Sequence, residues 1–288
     1  MKQAILITAY KNVHHLQRII NCFDENYFFY IHIDKKSRLS EQEILNLQKN
    51  KNVALSRRYK TNWGGMAHLK SILLLMNMAL ENKQTKYIHL ISGHDFPIKS
   101  PLLIDEFLTK NSGKQFLEFF QLPTPNWENG GMDRVDYYNL HDYIDAKGRY
   151  GFLIHKCIRL QKKLNLKRAK KLGNLELFGG STWWTLSSEC CLYIQDYIYQ
   201  NPSFLKKFNF TFCAEEFFFQ TLILNSPFKD HVVNDNLRHI VWELRHGNMP
   251  AVLDETDYET LKSSPQLFAR RFEYPFSEKL VGRLESGA

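Results

Sequence analysis

The chain has 288 residues, 44% hydrophobic and 14% aromatic, with a net charge of +8 and a pI near 9.1. That is enough apolar material for one large domain or two closely packed ones. No run approaches the ~20 continuous apolar residues that a membrane-spanning helix needs.

The opening run, Met1 to Thr8, has no small-residue cleavage site after it and reads as a first buried strand, not a signal peptide. Residues 4–8 and 28–33 are short apolar runs rich in β-branched and aromatic side chains, so both are expected to be buried strands. Met66, Leu69, Leu73 and Met76 form the stripe of a helix over residues 66–80. Another strand is expected over 87–91, and Ser100-Pro101 supplies an N-cap and a first-turn proline for a helix over 101–108. Strands alternating with helices imply an α/β fold, a Rossmann-like, mostly parallel sheet with helices on both faces. Neither a repeat nor a low-complexity linker divides the chain, so residues 1–288 are read as one domain. Residues 123–173 are more polar and basic and form an expected excursion from the sheet; residues 238–288 form an expected loop-rich C-terminal part.

In an open α/β sheet, ligands bind beyond the carboxyl ends of the strands. Polar clusters fall at those points: Thr8 to Lys11 after the first strand, His32 to Asp34 after the second, and Ser92 to Asp95 after the strand over 87–91. Together they point to a nucleotide-sized ligand, although Asp34 could equally open a turn into Lys35-Lys36. Trp63-Gly64-Gly65 precedes the 66–80 helix, where glycines either cradle a phosphate or simply turn the chain. A second glycine pair leads through Ser181 into Trp183-Trp184 on an apparent strand; side chains there alternate faces, leaving one Trp free to stack on a sugar unless both serve packing.

Glu215 and Glu216 stand among aromatics, between Phe210 and Gln220. Burial raises a carboxyl pKa towards a value suited to proton abstraction. The plainer alternative is a helix N-terminus, where acids complement the macrodipole. Arg238 and Arg271 lie in aromatic settings, and an arginine fork fits phosphate oxygens bidentately. Such cations can stabilise a departing diphosphate without a metal; ordinary surface arginines would look the same.

The eleven histidines are scattered, and adjacent His14-His15 cannot chelate as an i, i+4 pair, so no metal site is expected. Asp254 to Asp257 reads as a helix cap at Asp257. Cys22, Cys157, Cys190, Cys191 and Cys213 have neither metal nor redox spacing, which fits free thiols in a reducing cytoplasm. Residues 155–171 interleave Ile158, Leu160, Leu164 and Leu166 with cations. Three readings stay open there: a solvated helix over the core, a membrane-surface contact, or a polyanion track. No nucleic-acid motif occurs elsewhere, so nucleic acid is not expected as a partner.

Several of these segments together resemble the core-2/I-branching β-1,6-N-acetylglucosaminyltransferase family (glycosyltransferase family 14), which includes the peptide O-xylosyltransferases. They are Tyr30 to Asp34, Trp63-Gly64-Gly65, His94 to Lys99, Gly180 to Trp184, Ala214 to Thr221 and Leu267 to Phe272, in family order across nearly the whole chain. The resemblance implies a GT-A-type fold and an inverting, metal-independent transfer from a UDP-sugar, UDP-GlcNAc first and UDP-xylose as alternative, to a glycan or lipid-linked glycan. It implies Glu216 as the base. Thr8, Asp34, Trp63, Gly64, Asp95, Arg238 and Arg271 fall to the nucleotide-sugar, and Ser181, Trp183 and Glu215 to the acceptor. Arg271 stands where the family commonly has lysine, which keeps the charge and changes the geometry. The chain is shorter than the animal members and lacks their anchor, stem and cysteine framework. That points to a bacterial relative in the cytoplasm or at the inner face of the membrane, making surface polysaccharide. A carbohydrate-binding protein that keeps the fold without turnover is the second class. Hydrolysis by the adjacent pair is disfavoured, because a glycosidase needs two carboxyls flanking the bond, ~5–9.5 Å apart.

Overall fold

A computed structural model describes residues 1–168 and 175–287. Its strands, in chain order, are β1 (Gln3–Ala9), β2 (Tyr27–Ile33), β3 (Val53–Ser56), β4 (Tyr87–Ser92), β5 (Asp95–Pro97) and β6 (Gln115–Leu117). They are followed by β7 (Phe120–Gln121), β8 (Phe178–Gly179), β9 (Trp184–Ser187), β10 (Val232–Val233), β11 (Arg238–Ile240) and β12 (Phe268–Arg270). Seven of them form the main sheet in the order β10-β6-β9-β4-β1-β2-β3. The sheet is parallel except that β9 runs antiparallel to both β4 and β6.

The sheet is buried on both faces, as its near-continuous apolar strands require. Along β1, Ala4 and Leu6 enter one core with the helices Met66–Leu80 and Ser188–Gln200. Ile5 and Ile7 enter the opposite core with Val13–Asn21, Pro101–Lys110 and Glu278–Ser286. This is the α/β arrangement expected from the sequence. The three expected strands are each lengthened by a residue or two, and the helix Met66–Leu80 has the expected bounds. Ser100 occupies the N-cap position without a side-chain bond, so Pro101 alone marks that helix start. Asp257 holds the expected N-cap position of the helix Tyr258–Ser263 but makes no side-chain cap bond to it; its carboxylate accepts the Asp254 N–H, while Asp254 caps the preceding 3-10 turn by accepting the Thr256 N–H.

Register fixes the site. Thr8 on β1 pairs with His32 on β2 and Ser92 on β4, so these strands end level and their polar clusters stand in a row. A small sheet, β11-β12-β5, closes one end of that row. Within it Asp95 faces Arg270 across an antiparallel pair. Residues 123–168 leave the sheet through a turn at Glu128–Gly131 and include the helix Phe152–Lys163. Residues 238–287 combine loops with β11, β12 and the helices Tyr258–Ser263 and Glu278–Ser286.

Candidate active site

The floor of the crevice is the row of strand ends. Asp34 lies just past β2 and opens a turn. Its Oδ1 accepts the Lys36 N–H at 2.8 Å, and both oxygens accept the Thr61 N–H at 3.3 Å. His32 accepts the Tyr59 N–H through Nε2 at 3.1 Å, and burial lowers it to about 4, so it is neutral. Asp95 is fully buried; its Oδ2 accepts the Ser92 hydroxyl at 2.6 Å, and its Oδ1 has no hydrogen bond, with Arg270 Nε at 3.6 Å.

The facing wall carries the two glutamates. They sit on a 3-10 turn, Ala214–Glu216, ahead of the helix Phe218–Leu224 rather than inside its N-terminus. The turn is tied to both glycine pairs: Cys213 N–H donates to Gly64 O at 2.9 Å, and Gly180 N–H donates to Glu216 O at 2.8 Å. Both glycines are required. Gly64 has φ +78°, and a Cβ there would meet the Phe212 ring at 2.3 Å; a Cβ on Gly180 would meet Glu118 O at 1.9 Å. Trp63 is exposed and stands edge-on to Phe212.

Glu215 is buried and pairs with His68 Nδ1 at 2.9 Å, while His68 Nε2 reaches Thr8 Oγ1 at 3.3 Å. Burial alone would lower His68, but the Glu215 charge and hydrogen bond, with Glu216 behind them, bring it net above its ordinary value. In its imidazolium form both ring nitrogens are donors, one towards each neighbour. Glu216 points away from Glu215 and pairs with Arg134, whose guanidinium stacks 3.8 Å from the Trp127 ring centre. Burial pushes the Glu216 carboxyl above its ordinary value against the pull of Arg134, and the Glu215 charge adds to that rise. Its side chain still keeps 28% of its surface open. The site therefore offers a reachable carboxylate with enhanced basicity.

Two arginines complete the crevice. Arg270 stacks over Trp183 at 4.4 Å, beside Asp95, and its guanidinium makes no hydrogen bond among the described residues. Its charge opposes the rise at His68. Arg271 pairs with Glu273, which also holds Lys11 at 2.9 Å. Lys11, Arg270 and Arg271 all act on His94, which burial and Arg271 bring down to about 4.

Arg238 is placed differently from the expectation. Its guanidinium is buried and engaged with main-chain oxygens: Leu90 O at 2.9 Å, Trp184 O at 3.1 Å and Asn236 O at 2.5 Å, besides Thr185 Oγ1. It braces β4 to β9 under the floor and is not free to grip a phosphate. Of the two readings open for the tryptophans, packing is the one the structure bears out. The strand begins only at Trp184, and both rings are buried, Trp183 under Arg270 and Trp184 in the core. Ser181 Oγ accepts the Trp183 N–H, and Ser181 O accepts from Gln220, so this residue shapes the loop beside Glu216.

Sequence reasoning did not find His68, Arg134 or Arg270. A polar residue within the apolar helix signalled His68, and Arg270 was visible as the neighbour of Arg271; nothing local marks Arg134. No group of three or more His, Cys, Asp or Glu is arranged for a metal among the described residues.

A carboxylate of raised basicity and two arginines, Arg270 without a hydrogen bond among the described residues and Arg271 paired with Glu273, gather at the strand ends of an α/β sheet, where such sheets bind ligands. The sequence profile of the Core-2/I-Branching enzyme family matches residues 4–263. Rat xylosyltransferase 2 is 27% identical over 98% of the chain and 33% of its own length; human xylosyltransferase 1 is 25% identical over 98% and 30%. The chain thus spans about a third of the length of the curated relatives it matches. It belongs to the Core-2/I-branching enzyme family, a family of glycosyltransferases.

Proposed function

We propose that the protein is an inverting, metal-independent glycosyltransferase that moves a sugar from a UDP-sugar to a hydroxyl of a glycan or lipid-linked glycan. Glu216 takes the acceptor's proton as its oxygen attacks the anomeric carbon. The bond from that carbon to the β-phosphate oxygen breaks on the opposite face, and UDP leaves with the electron pair. Arg270 and Arg271 meet the charge that grows on UDP. Thr8, Asp34, Trp63, Gly64 and Asp95 shape the donor side, whereas Ser181, Trp183 and Glu215 shape the acceptor side. In this reading Arg238 supports the floor and does not touch the diphosphate.

The observation that carries the reading is the combination at Glu216 of raised basicity and an open face, with Arg270, whose guanidinium makes no hydrogen bond among the described residues, held on β12 where it pairs with β5. The donor remains between UDP-GlcNAc, implied by the family's transferases, and UDP-xylose, which the names of the relatives bring forward. We place the reaction in bacterial surface-polysaccharide synthesis at the cytoplasmic side. Calorimetric titration with UDP-GlcNAc, UDP-xylose, UDP-glucose and UDP in the presence of EDTA tests the donor site. Binding of UDP with one sugar preferred supports the proposal and names the donor for an acceptor screen. Binding that appears only when a divalent metal is restored overturns the metal-independent part. Sugar binding with no turnover on any acceptor identifies a carbohydrate-binding protein instead.

A further inference from the structure

The strongest charge asymmetry in the chain lies outside the crevice. Residues 146–168 contain eight of the 38 Lys and Arg and none of the 30 Asp and Glu, so the rest of the chain, with 30 of each, is neutral; Arg168 is buried, and Lys162 and Lys167 pair with Asp133 and Asp136. Exposed apolar side chains collect in the same place. Seven of the 17 large hydrophobic side chains exposed among the described residues fall between Tyr143 and Leu166. Coincidence of the two on one surface is the feature to explain, since single exposed hydrophobics are ordinary and clusters are not.

The helix Phe152–Lys163 shows how the surface is built. It needs only one face to cover the protein, and Ile154 and Gln161 provide it; Gln161 bonds the main chain of Tyr138. A second stripe, Leu153, Leu160 and Leu164, repeats at i, i+7 and i+11 and faces solvent, with Leu160 57% and Leu164 56% exposed. Beside it on the outer face stand Lys156, Arg159 and Lys163, all exposed. Phe152 lies under the Lys156 ammonium at 5.0 Å. Two apolar stripes on one helix, with cations flanking the outer one, are the pattern of a helix lying in a bilayer interface.

We propose that this face docks on an anionic lipid bilayer, with Leu153, Leu160 and Leu164 entering the headgroup–acyl boundary and Lys156, Arg159 and Lys163 meeting lipid phosphates. A nucleic acid would be matched by the cations but would leave the leucine stripe in water. A bilayer satisfies both halves of the surface, with cations drawn by the negative surface potential and leucines by the apolar boundary. Three residues of the basic run read from sequence, 169–171, lie outside the described residues, and the proposal does not use them. It goes beyond the transferase reading and stands without it, because vesicle binding requires no turnover.

Flotation of the full chain with vesicles of phosphatidylcholine plus phosphatidylglycerol, against vesicles of phosphatidylcholine alone, tests the proposal. The protein is expected to float with the mixed vesicles and not with the neutral ones. Raising salt from about 0.1 M to about 1 M, which shortens the screening length from ~10 to ~3 Å, should release it. The triple change Leu153→Ser, Leu160→Ser, Leu164→Ser should weaken binding by about tenfold or more, as should Lys156→Glu, Arg159→Glu, Lys163→Glu. Circular dichroism checks that each variant folds, and Leu160→Ser alone serves if the triple variant does not. Equal binding to neutral vesicles, or no flotation at low salt, overturns the proposal. Retention of full binding by the serine variant, with loss only in the charge-reversed one, replaces the bilayer by a soluble polyanion.

Discussion

The floor of the crevice and the wall opposite it satisfy their polar groups in different ways. On the floor, Asp34 is engaged with main-chain N–H groups and Arg238 with main-chain carbonyls, so their charges hold the ends of β2, β4 and β9 in place. On the wall, Glu216 is balanced against Arg134, Glu215 against His68, and Arg271 against Glu273, side chain to side chain. Bonds to backbone fix a shape, whereas side-chain pairs can exchange one partner for a ligand without disturbing the sheet. Arg238 and Arg271 carry the same group yet fall on opposite sides of this division.

The sharpest way to break the distinction is Glu216→Gln. Transfer should fall by ~10²–10⁴-fold, the usual share of a general base, while UDP affinity measured by calorimetry stays nearly unchanged. Loss of UDP binding would move Glu216 to the floor's class. Next comes Arg238→Met, which strands the carbonyls of Leu90, Trp184 and Asn236 and should lower unfolding free energy by ~3 kcal/mol or more in denaturant titration. Arg271→Ala should instead leave stability nearly intact and weaken UDP by about tenfold, with uridine binding less affected. A normally folded Arg238→Met that has lost UDP would erase the division.

His68→Gln should have a smaller effect, visible in the pH profile. Transfer requires ionised Glu216, so activity falls as pH drops through its raised pKa. The His68 imidazolium pulls that pKa down. Removing it should move the acid limb upward; a limb that stays put would reduce His68 to packing. The smallest change is expected for Trp63→Ala, whose ring is 60% exposed: stability should hold within about 0.5 kcal/mol. Any larger thermal shift would show that the ring supports the turn through Phe212.

The sheet and the helix Met66–Leu80 were legible because periods of two and 3.6 are local properties of the chain. Thr8, Asp34 and Asp95 were legible as polar residues closing apolar runs. The fate of Arg238 was not, because a guanidinium's engagement with main-chain carbonyls of distant strands has no sequence signature. The choice between stacking and packing for Trp183 and Trp184 was not legible, because face alternation applies only where the strand has begun, and it begins at Trp184. Arg134 and Glu216 are 82 positions apart, beyond the reach of any spacing argument.

The ties from the Ala214–Glu216 turn to Gly64 and Gly180, and the pairing of Asp95 with Arg270, bear on biosynthesis. Each joins parts of the chain made far apart in time, and such non-local contacts form late because loop closure must come first. A ribosome that has reached residue 260 has made every strand of the main sheet but neither arginine of the crevice. The nascent chain can therefore assemble its scaffold and its glutamates while these two arginines are still missing, and the full arrangement arises only when β12 adds alongside β5.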